Sequence, residues 1–277
     1  FFKKNISLIK LFKTKNIFLL IIIFFFIPIF VSQKYHEDFG YYHLPYAISF
    51  IEEKIIFGFA NIDQSYVYNS IWLNLYSIFF LGDKNFNFLT LPSFMVYICF
   101  ILFSFHKLSN KVEKFNSDYF LLIALFYFIL KFTRISEFGV DLPSSIFSIL
   151  AIYYFIKFSD KDIQKERNEY FFLTFFFSIF AILIKLSSVP IIILPIFLYL
   201  KYFKDLLLEI FKFKFLLIYF LFITFFFQQF IFTGCVIFPS NLTCFNVSWF
   251  SENHINLSNK LELINKSYSS VGKDNIT

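Results

Sequence analysis

Seven stretches of the chain are apolar over nearly the length that crosses a bilayer: 16–33, 86–106, 118–133, 143–158, 170–185, 187–203 and 213–233. An eighth, 66–82, has a different pattern. Ser70, Asn74 and Ser77 recur there at i, i+4 and i+7, while Ile71, Trp72, Leu75, Ile78 and Phe79 take the other faces. This spacing predicts an amphipathic helix lying in the membrane interface, and 41–54 predicts a second short helix of the same kind. Residues 170–200 form a near-continuous apolar run, about 46 Å as one helix, too long for one upright span and short for two. Its break around Lys185 to Pro190 predicts two short spans hinged near Pro190.

Charge settles how these elements are threaded. If 66–82 does not cross, 16 of the 25 Lys and Arg residues fall on the N-terminal side of the membrane. If it does cross, the split is an uninformative 12 to 13. The bias favours the first arrangement: N-terminus cytoplasmic, and a long external loop at 34–85 that carries both short helices. The expected fold is therefore an all-α, polytopic helical transmembrane protein, with a membrane module over 1–233 and an external segment over 234–277. Lys3, Lys4, Lys10, Lys13 and Lys15 precede the first span as in a signal peptide, but no small-residue cleavage site follows it, so it reads as retained.

Of 277 residues, 58% are hydrophobic and 16% charged, with a mean hydropathy of +0.68. That excludes a water-soluble domain and makes membrane lipid the first partner. The net charge of +6 does not indicate nucleic acid, because the basic residues sit in short clusters beside apolar runs. Cys99 lies inside a span; Cys235 and Cys244 share one loop, and their spacing leaves open whether they pair. A start at Phe1 and a polar end at Thr277 read as a piece of a longer protein.

With the threading fixed, two acidic pairs stand at span ends on the external face, Glu37 with Asp38 and Glu137 with Asp141. Such carboxylates can serve as a general base or hold a divalent metal, and each alone can equally be an ordinary loop acid. The segment His36 to Pro45 adds His43 and Tyr42, side chains that also suit an interfacial belt. Lys185, Arg134 and Lys131 mark the external ends of spans; each can bind a lipid phosphate or snorkel, and Ser187 and Ser188 next to Lys185 add hydroxyl donors. No Walker loop, nucleophile elbow, Cys-x-x-Cys or His-Glu-x-x-His is present.

The order of these parts resembles the GT-C class of polytopic membrane glycosyltransferases: a first span, an acidic motif in a long external loop with interfacial helices, a second external acid, then a lysine-bearing turn. A group of bacterial multispanning proteins of that class is more similar still. That likeness is carried by Asp38-x-x-x-Tyr42-His43-Leu44-Pro45, Gly58-x-x-Asn61, Tyr68-Asn69-Ser70-x-Trp72, Asp141-Leu142-Pro143, Lys185-Leu186-Ser187, Phe238-Pro239 and Phe245-Asn246-x-x-Trp249. The class usually has more spans and a C-terminal part that this chain lacks.

The resemblance implies a transferase of the bacterial inner membrane, acting on its outer face. It would move a sugar from a polyprenyl-phosphate donor to a cell-envelope acceptor, whether glycan, lipid or protein. Asp38 would be the catalytic base, assisted by Glu37 and Asp141. Substrate contacts would fall to His43, Tyr42, Glu137, Arg134, Lys185 and Ser187. No organic cofactor is implied; a divalent metal is left open, with Asp38 and Asp141 as its ligands. The rival readings are a polymerase or ligase of lipid-linked glycans, for which external basic residues would outweigh an early acidic pair, and a transporter, for which polar residues would line the middle of several spans.

Overall fold

The computed structural model describes residues 24–28, 30–32, 38–53, 55–62, 64–67, 69–80, 90–109, 115–160, 164–238, 240–250 and 256. Most of the first expected span, Glu37, and the chain after 250 apart from residue 256 lie outside them. The described elements are helical, with no strand among them: α1 Leu44–Glu52, α2 Ile71–Phe80, α3 Leu91–Ser109, α4 Asn116–Leu130, α5 Asp141–Ser159, α6 Gln164–Ile184, α7 Ile193–Lys201 and α8 Phe213–Thr233. Four of these, α3, α5, α6 and α8, are long and apolar enough to cross a membrane. The protein is an all-α helical membrane protein.

Two of the expected spans are built from shorter pieces. The 15 residues of α4 make about 22 Å of helix, less than the roughly 30 Å of hydrocarbon, and the chain continues as a 3₁₀ stretch over Phe132–Ser136. The long run after Tyr170 ends its α-helix at Ile184, and Lys185 is extended, with φ −147° and ψ 114°. A 3₁₀ stretch, Leu186–Ile192, follows before α7, with Pro190 inside it. The break thus falls at the lysine, five residues ahead of the proposed hinge. Pro190 has no N–H to give to an α-helical bond and disfavours the α conformation at Val189, which suits it to the 3₁₀ stretch.

In lipid no solvent drives apolar helix faces together, so close packing and hydrogen bonds have to do it. Small side chains accordingly occupy the crossing of α5 and α6: Ala151, Ser144, Ser178 and Ala181 are all buried. Large ones face outward, as Phe126, Phe220 and Phe227 do. One apolar cluster joins α3, α4 and α5 through Tyr97, Phe100, Leu121, Phe128 and Ile146. A second joins α6, α7 and α8 through Phe171, Leu183, Leu198 and Phe215.

At one end of the bundle a third cluster seats α1 and α2 across the others, through Tyr46, Trp72, Tyr76, Phe138 and Phe232. Ser70 Oγ donates to the carbonyl of Ile184 at 2.7 Å, Asn69 Nδ2 to that of Phe225 at 3.1 Å, and the Gly58 N–H to that of Ile231 at 2.9 Å. The polar stripe of α2 therefore faces protein. Asn74 Nδ2 donates to Gln228 Oε1 at 2.9 Å and Ser77 Oγ to the Ala47 carbonyl at 2.9 Å, while Ile78 and Phe79 are exposed. At the same end Cys235 and Cys244 form a disulfide, closing the turn that follows α8.

Candidate functional site

The end capped by α1 and α2 gathers the charges found at span ends. Asp141 opens α5, where a carboxylate complements the helix dipole and Pro143 fits the first turn. Arg134 lies on the 3₁₀ stretch after α4, and Lys185 on the extended residue that ends α6. Lys185 Nζ is 2.5 Å from Asp141 Oδ1; the Arg134 guanidinium Nη1 is 3.2 Å from Glu137 Oε2 and 4.0 Å from Asp141 Oδ2. The side chains of Arg134, Asp141 and Lys185 are 46%, 56% and 41% exposed. They form an open chain of alternating charge at the rim of a cavity.

Three cavities meet along this chain. The largest, about 680 Å³, runs between α4 and α5: Phe120, Ile123, Tyr127, Ile149 and Ile152 make an apolar trough, and Lys131, Arg134, Asp141, Lys185, Ser187 and Ser188 make its polar mouth. The second, about 130 Å³, shares Arg134, Asp141 and Lys185 with the first and adds Asp38, Tyr42, His43 and Glu137. The third, about 280 Å³, extends from Tyr42, His43 and Lys185 to Asn69, Ser70 and Ser187. Lys185 lines all three.

Asp38 is half-buried and precedes a π-helical turn, Phe39–His43. That turn leads His43 inward, where it is buried with Tyr42 packed edge-on against it at 4.2 Å. Gly139 lies beside the imidazole, and a Cβ there would make ordinary contact with His43 Cε1, at 3.6 Å. The loop that carries Glu137 and Gly139 is held from α2: Tyr76 OH donates to the Gly139 carbonyl at 3.0 Å, and its ring stacks on Phe138 at 4.1 Å. Burial raises the Tyr76 phenol above its ordinary value, with its hydrogen-bond contacts to Ser93, Trp72 and Gly139 opposing. Burial likewise raises that of Tyr46. Both hydroxyls remain protonated donors at neutral pH.

Of the residues expected at the site, Asp38, Tyr42, His43, Arg134, Glu137, Asp141 and Lys185 share the second cavity, and Ser187 joins the two beside it. Glu37 is outside the described residues. Asp141 faces two cations, which makes it a partner for Lys185 and Arg134 and a poor metal ligand. Among the described residues no three His, Cys, Asp or Glu side chains are grouped as a metal ion requires. Sequence reasoning passed over Ser144, Ser145 and Ser148, which bring the face of α5 into the large cavity. Ser144 and Ser188 share a hydrogen bond of 2.7 Å across that wall. Their signal, serines at i, i+1 and i+4 in an apolar span, is also the pattern of close helix packing.

Residues 1–275 match a family described as Domain of unknown function (DUF8201), and the chain belongs to it. No curated protein and no solved structure matches.

Proposed function

We propose that this DUF8201 member is a membrane glycosyltransferase that moves a sugar from a polyprenyl-phosphate donor to an acceptor hydroxyl on the outer face of the membrane. The observation that carries this reading is the large cavity itself, an apolar trough between two helices whose mouth holds Lys131, Arg134 and Lys185. A lipid phosphate with its chain in the membrane has the same division of polarity. The donor's sugar would then project into the adjoining cavity, where Asp38 waits.

In this mechanism the Asp38 carboxylate accepts the proton of the acceptor hydroxyl as its oxygen attacks the anomeric carbon. The bond from that carbon to the phosphate oxygen breaks, and the electron pair leaves on the phosphate. Lys185 and Arg134 stabilise the charge that gathers there, Asp141 and Glu137 aim them, and Ser187 and Ser188 donate further hydrogen bonds. His43 and Tyr42 border the space left for the sugar.

The test is transfer by the full chain in proteoliposomes supplied with a panel of radiolabelled polyprenyl-phosphate sugars. The expected result is transfer from at least one donor, reduced about 10²-fold or more in Asp38→Asn. Full activity in that variant overturns the assignment of the base. No transfer from any donor by wild type overturns the function.

A further inference from the structure

The loop between α7 and α8, residues 202–212, has its polarity arranged against water. Leu208, Phe211 and the adjoining Phe213 are 75%, 74% and 86% exposed, and Phe203, on the single helical turn Phe203–Leu206, is exposed as well. The carboxylate of Glu209 is instead buried. Asn168 Nδ2 donates to it at 2.8 Å, and Lys212 and Lys214 pair with it. A loop that ended in water would cover the apolar side chains and leave the acid outside.

Depth accounts for the arrangement. The 21 residues of α8 make about 31 Å of helix. The seven residues of the 3₁₀ stretch and the nine of α7 together make about 27 Å. Both lengths match the roughly 30 Å of hydrocarbon, so the chain that leaves α7 and enters α8 lies at one lipid boundary.

Cations are set among the apolar groups of this loop. Lys201, Lys204 and Lys212 are exposed. Two cations converge on one ring: the Arg167 guanidinium lies 4.1 Å from the centre of Tyr202 and Lys201 Nζ 5.3 Å from it. Like charges around one ring add their fields at any anion that meets them. Asp205 is the exposed acid of the loop, and neighbouring Glu169 is paired with Lys214 at 3.2 Å. The outward surface therefore combines large apolar side chains with an excess of positive charge, the composition of a segment that rests in an anionic headgroup layer.

We propose that the α7–α8 loop is a docking surface for anionic phospholipid. Phe203, Leu208, Phe211 and Phe213 insert below the headgroups, while Lys201, Lys204 and Arg167 hold a headgroup phosphate that carries no amine of its own. The proposal does not rest on the transfer reading, since it concerns the end of the bundle away from the three meeting cavities and is read by lipid contact.

A bimane fluorophore on Leu208→Cys, with Cys99→Ser and the disulfide intact, tests it on the full chain in phosphatidylcholine nanodiscs. Phosphatidylglycerol or phosphatidylcholine, each with the same nitroxide high on one acyl chain, is titrated in as quencher. Phosphatidylglycerol is expected to reach half-maximal quenching at a mole fraction roughly fivefold lower, and high salt is expected to narrow the gap. Lys201→Gln with Lys204→Gln should bring the two lipids together, Lys201→Arg should keep them apart, and Asp205→Asn should widen the difference; all three positions are exposed. No quenching by either lipid would put the loop in water or under a protein partner. Equal quenching with the lysines in place, or a preference that survives their removal, would show that the charges select no headgroup. Each of these results overturns the proposal.

Discussion

At the scale of single residues, magnitudes separate a structural clasp from a working charge. The Lys185 to Asp141 pair is close, at 2.5 Å, yet both side chains are about half exposed, and an ion pair in that setting contributes roughly 1 kcal/mol or less to stability. A lysine that meets a leaving phosphate contributes far more to the transition state, about 10²- to 10³-fold in rate for one donor. Lys185→Ala is therefore expected to change unfolding free energy by at most about 1 kcal/mol, while transfer falls by about 10² or more and Lys185→Arg restores part of it. Parallel loss of stability and activity, followed by thermal unfolding and transfer on the same preparations, would identify a clasp instead. Arg134, Asp141 and Lys185 were legible in the sequence because charged residues flank apolar runs and the Lys and Arg bias put these three on one face. The serines of α5 were not, because a serine in a span serves packing and recognition with the same hydroxyl.

At the scale of elements, periodicity located helices but did not tell which medium each face meets. The stripe Ser70, Asn74 and Ser77 reads as a water-facing side in a soluble protein. Here it is glued to α1, α6 and α8, since polar side chains in lipid find partners in protein while apolar ones face the solvent. The break after α6 falls inside the expected interruption from Lys185 to Pro190, at its lysine end, and the turn there is a 3₁₀ stretch that contains Pro190. A latch formed after α8 adds to the hydrogen bonds of α2 by holding the loop between α1 and α2. Gly58, at φ 70°, would bring a Cβ to 2.6 Å from Asn61 Nδ2 and 2.9 Å from Trp249 Cβ. Asn61 Nδ2 also donates to the Trp249 carbonyl at 2.8 Å. Gly58→Ala is expected to cost at least about 1 kcal/mol, seen as a lower Tm and weaker packing of α1. Gly40→Ala, where a Cβ meets nothing within 4 Å, should stay within about 0.5 kcal/mol. Equal effects of the two would show that the latch carries no strain-sensitive packing.

At the scale of the whole molecule, the two ends of the bundle differ in chemistry, and the proposed orientation can be tested on that difference. One end holds the three meeting cavities, the latch and the disulfide between Cys235 and Cys244; such bonds persist in oxidising compartments. The other is basic: Arg167 stacks on Phe158 and Tyr202 at 4.7 and 4.1 Å, Lys157 is buried over Tyr153 and Tyr170, and Lys212 and Lys214 pair with Glu209. Cationic ends are retained in the cytoplasm as a rule, so the disulfide and the basic cluster are both consistent with the proposed reading, in which the cavities face outward. That orientation is what a transferase using lipid-linked sugars on the outer face needs, and it can fail separately from the chemistry. A cysteine placed at exposed Asn246 is expected to react with a membrane-impermeant maleimide in intact cells, and one at exposed Lys204 only after permeabilisation, with Cys99 replaced in both. The reverse pattern would turn the cavities toward the cytoplasm, leaving a lipid-phosphate site that draws on a cytoplasmic donor and a disulfide that the compartment would not sustain.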